Sequence, residues 1–112
     1  MNNQDYDNSR ADVFASKMFQ FLNGGMLSLM ISIGYKTGLF DTISQLKPST
    51  SQEISRAAKL NERYVREWLG AMVTGNIIDY DPATGKYLLR KEHSTFLTRK
   101  SGIDNLAVLA QY

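Results

Sequence analysis

The strongest constraint on the fold is a pair of helix signals separated by almost nothing. Thr50-Ser51-Gln52-Glu53 has the Thr-x-x-Glu form of a capping box, in which hydroxyl and carboxylate satisfy the free amides of a helix start. That helix runs to about Lys59 with Ile54, Ala57 and Ala58 as its buried residues. Leu60-Asn61 then allows only a tight turn, and Asn61 is a suitable N-cap for the next helix. Val65, Trp68, Leu69, Met72 and Val73 give this helix one apolar face, and Gly75-Asn76 ends it. Two short strand-like runs follow, Ile77 to Tyr80 and Lys86 to Leu89, joined by the turn-rich Asp81-Pro82-Ala83-Thr84-Gly85. A short helix is expected over Lys91 to Leu97.

Upstream, Lys47-Pro48-Ser49 stops a short helix over Leu39 to Leu46, whose apolar positions are Leu39, Phe40, Ile43 and Leu46. The order helix, helix, tight turn, helix, hairpin is that of a winged helix-turn-helix. The fold class is therefore mostly α: a winged helix-turn-helix with an N-terminal helical extension and one β-hairpin wing. Capping, turn chemistry and hydrophobic period agree on it.

The extension occupies residues 9–38, after a polar stretch, 1–8, expected to be disordered. Phe14, Met18, Phe21 and Leu22 recur at helical spacing. Asn23-Gly24-Gly25 is expected to interrupt or kink this helix, because glycine loses the most backbone entropy there. Gly24, Ser28 and Ser32 form a stripe of small residues, suited either to close approach of a second helix or simply to the kink. Gly38 is the expected left-handed cap. Residues 39–100 make the winged helix-turn-helix proper.

The last stretch, 101–112, is expected to begin a linker helix toward another domain. Ile103, Leu106, Ala107, Val108, Leu109 and Ala110 wrap most of its circumference, and such a helix is normally buried. No glycine, cap or polar tail follows before Tyr112, so a partner subunit or further polypeptide is expected to cover it.

Composition narrows function mainly by exclusion. With 112 residues there is room for one domain, not for a complete cofactor enzyme with all its parts. Zero cysteines exclude thiolate catalysis and cysteine-ligated zinc, and one histidine, His93, leaves no His–His metal spacing. No catalytic or metal-binding residue is assigned. His93 reads as a cap or surface donor: adjacent Glu92 does not face it on a helix, and Ser94 and Thr95 complete no triad. Met26 to Tyr35 is about half the ~20 apolar residues a membrane span needs, and no basic signal-peptide start is present. A cytoplasmic protein with no membrane partner is expected.

The net charge of +2 is unevenly spread, acidic at the N-terminus and basic over residues 86–100. Candidate DNA contacts are Arg63 and Arg66 on the second helix of the motif and Lys86 and Arg90 on the wing. Against them, Glu62–Arg66 and Arg63–Glu67 are i, i+4 pairs that satisfy their own charges. Tyr64, Trp68 and Tyr87 read as core aromatics and not as a platform for bases. Phe14, Met18, Phe21 and Met26 are candidate dimer or substrate contacts, with plain packing as the alternative.

Several segments together carry a family likeness. They are Leu22-Asn23-Gly24-Gly25 through Ile33-Gly34-Tyr35-Lys36-Thr37-Gly38-Leu39-Phe40-Asp41, the stretch Leu60-Asn61-Glu62-Arg63-Tyr64-Val65-Arg66-Glu67-Trp68-Leu69-Gly70-Ala71-Met72, Tyr80 through Tyr87, and Asp104-Asn105-Leu106-Ala107. They resemble the N-terminal winged-helix region of a class I S-adenosylmethionine-dependent methyltransferase family, from about Phe14 onward. The resemblance implies a Rossmann-like catalytic domain that holds S-adenosylmethionine on a glycine-rich loop after its first strand. No such strand and loop occur here, so no cofactor-binding residue is assigned. It further implies a homodimer entwined through the N-terminal helices, a small-molecule substrate beneath them, and no activity in this chain alone. The alternative expectation is a winged-helix DNA-binding transcriptional regulator.

Overall fold

The computed structural model describes residues 5–98. Five helices and one hairpin follow in the order α1 (Asn8–Thr37), α2 (Leu39–Ser44), α3 (Ser51–Ala58), α4 (Glu62–Thr74), β1 (Asp79–Asp81), β2 (Lys86–Leu88) and α5 (Lys91–Leu97). The stretch 101–112, with its apolar run from Ile103, lies outside the described residues.

α1 is one helix of 30 residues, capped by the Asp7 carboxylate, which accepts from the Arg10 backbone N–H at 3.2 Å. The break expected at Asn23-Gly24-Gly25 does not occur. Neither Gly24 nor Gly25 has a positive φ, so both accept helical geometry. Their propensity cost, about 1 kcal/mol each, is offset just downstream, where Leu27, Met30, Ile31 and Ile33 pack against the core. Gly38 then ends α1 in the left-handed region, φ 79°, and α2 starts at once.

The core is built where α2, α3 and α4 meet. Leu39, Phe40 and Ile43 of α2, Ile54 of α3, and Val65, Trp68, Leu69 and Met72 of α4 are buried together with Ile78 and Leu89. Phe40 and Trp68 meet edge to face with ring centroids 5.1 Å apart. The Trp68 indole N–H donates to the Met30 carbonyl at 2.8 Å and so ties α4 to α1. Gly34 lies beneath both rings: a Cβ there would stand 2.5 Å from Trp68 and 2.6 Å from Phe40.

α3 buries Ile54 and packs Ala58 against the core as expected, but differs at one position. Ala57 is exposed, and Ser51 and Ser55 are buried beside Ile54. Short hydroxyls suit this face because they find partners at once: Ser55 donates to the Gln52 carbonyl at 2.9 Å and Ser51 to the Glu62 carboxylate at 2.6 Å. The capping box is complete. Thr50 Oγ1 accepts from the Glu53 N–H at 3.2 Å, and the Glu53 carboxylate accepts from the Thr50 N–H at 2.9 Å.

Those bonds from Thr50, backbone first and hydroxyl second, hold the Glu53 carboxyl below its ordinary 4.5. The sign follows from that direction. Glu53's contribution is present in full above about 4.5, the unfolded value, and is lost as pH falls through the lower folded one. Thr50→Ala is expected to cost ~1 kcal/mol in urea unfolding at neutral pH. Glu53→Gln should flatten the acid limb of stability; a limb identical to wild type would refute the capping assignment.

The wing pairs Asp79 with Leu88, Tyr80 with Tyr87 and Asp81 with Lys86 in antiparallel register. Its turn is held by Asp81, whose carboxylate accepts from the Ala83 N–H and the Thr84 hydroxyl. Ser49 adds a bridge on the other side of β2, its N–H donating to the Tyr87 carbonyl at 3.1 Å and its carbonyl accepting from the Tyr87 N–H at 2.7 Å. The wing is thereby fastened to the connection between α2 and α3. Tyr87 is half-buried, and burial followed by the nearby Tyr80 raises its phenol above the ordinary 10.0.

Candidate functional site: an apolar helix face, a paired recognition helix and an open cleft

The first two-thirds of α1 projects from the core. Phe14, Met18, Phe21 and Met26, the candidate contact residues, are 65%, 40%, 72% and 55% exposed, and Val13, Phe19 and Leu22 are exposed beside them. Phe14, Met18 and Phe21 follow one another at four- and three-residue steps and so share a face. Met26 stands apart from them. It enters a groove of about 360 Å³ between α1 and α4, with Met30, Gly70 and Thr74.

The motif's second helix, α4, presents a charged outer face whose partners lie on the protein itself. Arg63 pairs with Glu67 at 3.5 Å and Arg66 with Glu62 at 3.9 Å, both along the helix as the spacing predicted. On the wing, Arg90 pairs with Asp79 at 2.5 Å. Lys86 is exposed and contributes to lowering the Glu53 carboxyl. Exposed pairs of this kind are worth only ~0–1 kcal/mol. Their consequence here is that three of the four candidate DNA contacts carry a carboxylate neighbour toward any approaching phosphate. Tyr64, expected in the core, is 43% exposed and lies at the core's edge, lining a groove with Met30, Ile33, Glu67 and Trp68.

A cleft of about 620 Å³ opens between α1, the α4–β1 connection and α5. Leu27 and Ile31 line one wall, Phe96 and Leu97 the other, and Ile77 and His93 lie between. The His93 Nδ1 is 2.8 Å from the Ile77 carbonyl. A carbonyl only accepts, so Nδ1 carries the proton and pins α5 to the start of the wing. His93 is thus a structural donor on one nitrogen, as its lone position in the sequence suggested. The cleft itself had no sequence signal, since its walls come from three separate segments. Among the described residues, no cluster of three or more metal-ligating side chains is present, and no helix is long and apolar enough to cross a membrane.

The family model for the Rv2258c-like winged HTH domain matches residues 25–99, the end of α1 through α5. The chain belongs to this family. The exposed first half of α1 precedes the matched region. A comparison with curated proteins finds no match. Among solved structures, the Rv2258c-like domain described here is similar to two methyltransferases and to PigF. One is a putative O-methyltransferase from Nostoc punctiforme, with 23% identity, TM-score 0.66, 78% of this chain covered and 26% of that one. Human N-acetylserotonin methyltransferase in complex with SAM gives 17% identity and TM-score 0.71 over 100% of this chain and 31% of that one. PigF with SAH gives 18% identity and TM-score 0.67 over 96% and 28%. At these identities the likeness is one of fold. The chain spans between a quarter and a third of the length of the structures it matches.

Proposed function

We propose that this winged-helix chain is the N-terminal, non-catalytic region of an S-adenosylmethionine-dependent methyltransferase. One observation carries the reading: between 78% and 100% of this chain recurs in two methyltransferases and in PigF with SAH, where it makes up only 26% to 31% of the length. The cofactor belongs to a separate catalytic domain. Gly24, Gly25, Gly34 and Gly70 do not suit it, because the first three lie within α1 and the last within α4, with no strand before them among the described residues. In the intact cytoplasmic enzyme this region dimerises the protein and walls a small-molecule substrate. Its contribution is one of positioning.

The exposed Phe14, Met18 and Phe21 supply the dimer contact in this proposal. A second copy is the partner that would cover an apolar face on each chain at once, as two-fold interfaces do. The purified chain is expected to sediment as a dimer at micromolar concentration. Phe14→Asp with Met18→Asp should leave it monomeric, with circular dichroism unchanged because neither side chain is in the core. A well-behaved wild-type monomer across that range would overturn the dimer role. DNA binding is not favoured, since Arg63, Arg66 and Arg90 already face carboxylates.

A further inference from the structure

We propose that the cleft between α1 and α5 is a binding site for an apolar, uncharged small molecule carrying a hydroxyl or N–H donor. Its volume, about 620 Å³, lies within the roughly 300–1,000 Å³ usual for small-molecule sites. The walls are mostly apolar and come from three elements that are separately anchored. Leu27 packs at Gly75, where a Cβ would stand only 2.8 Å from it; α5 is held by His93; and Ile77 donates its N–H to the Met72 carbonyl at 2.9 Å. The site is therefore formed before any ligand arrives.

Ser28, Asn76 and His93 are the neutral polar side chains of the lining, and His93 supplies a ring acceptor. Its Nδ1–H is committed to the Ile77 carbonyl, which fixes the tautomer. In the neutral ring Nε2 is then an acceptor, and it has no partner among the described residues. An acceptor beside apolar walls selects a donor-bearing ligand, because an analogue without the donor leaves it unmatched. Glu92 also lines the cleft and is acidic, which disfavours carboxylates and other anions. Gly24 completes the opening: nothing lies within 4 Å of where its Cβ would be. The inference does not depend on the methyl-transfer reading, since the site is made of this chain's residues alone.

The test is direct titration of the 112-residue chain with 2-naphthol, 2-methoxynaphthalene and 2-naphthoate, followed by calorimetry and by amide chemical shifts. Saturable binding of 2-naphthol is expected, with shifts centred on Ile77, His93 and Phe96. The methyl ether should bind about tenfold more weakly, the equivalent of one neutral hydrogen bond, and the naphthoate no better than the ether. Gly24→Leu puts a side chain into open space and should abolish binding while leaving the thermal midpoint at or above wild type. His93→Asn keeps an N–H for the Ile77 carbonyl but removes Nε2, so 2-naphthol should fall to the affinity of its ether.

Equal binding of all three probes, or binding that survives Gly24→Leu, overturns the proposal. So does no saturable binding at all, which would mean that residues 99–112 or a second copy fill the cleft. Those two cases separate by sedimentation: if Gly24→Leu turns a dimer into a monomer, the cleft is the seam between copies. A failure of the methyl-transfer reading would leave the naphthol titration untouched.

Discussion

Replacing Gly34 by valine is expected to abolish cooperative folding, and replacing it by alanine to cost about 1–3 kcal/mol, the usual range for overpacking a core. The alanine Cβ would stand 2.5 Å from Trp68 Cζ2 and 2.6 Å from Phe40 Cε2. Both rings are buried and already packed against each other, so neither has a free end to swing aside. Valine adds two more methyl groups in the same place. A domain of this length holds only about 5–15 kcal/mol in total. Gly24→Ala, in the same helix but open space, is the matched comparison and should stabilise by about 0.5–1 kcal/mol. Urea unfolding read by the fluorescence of Trp68, the only tryptophan, measures both. Equal stabilities for the two alanine variants would refute the close approach of α1 to the Trp68–Phe40 pair.

Trp68→Ala should be as damaging, at about 3–5 kcal/mol for a large aromatic removed from a core. It removes the ring that roofs Gly34, the edge contact to Phe40 and the donor to the Met30 carbonyl. Trp68→Phe divides these contributions. It keeps most of the apolar packing but loses the indole N–H, and the hydrogen bond alone accounts for about 0.5–1.5 kcal/mol. The expected order by thermal melting followed in the far ultraviolet is wild type, then Trp68→Phe, then Trp68→Ala. The phenylalanine variant should also speed hydrogen exchange in the second half of α1, because that helix loses its bond to α4. Unchanged exchange there would mean that α1 is held by apolar contact alone.

Much of the fold was legible before any coordinates. The Thr50–Glu53 capping box, the Asn61 cap, the left-handed Gly38 and the short α5 are local features, and each was found at or within a residue of its expected position. The i, i+4 ion pairs of α4 were equally local. The misreadings share a cause. Gly24-Gly25 was expected to break α1, and Tyr64 and Ala57 were expected to be buried. In each case propensity or residue type was outweighed by which face of a helix meets the core. The candidate contacts on α1 were recognised as an apolar stripe, but only the structure separates Met26, which lines a groove with α4, from Phe14, Met18 and Phe21, which face outward.

The order of elements and the capped starts of α3 and α4 were written in the sequence, because helix caps, tight turns and hydrophobic period act over a few neighbouring residues. The sequence also determined that Trp68 would be core, since its apolar face is set by spacing alone. Tertiary packing makes Gly34 obligatory, lets Ser49 fasten the wing, and brings Leu27, Ile77, His93 and Phe96 together to line one cleft. Those facts depend on segments far apart in the chain meeting at a few ångströms. No local pattern encodes such meetings; the packing of α1 across α4 and α5 creates them.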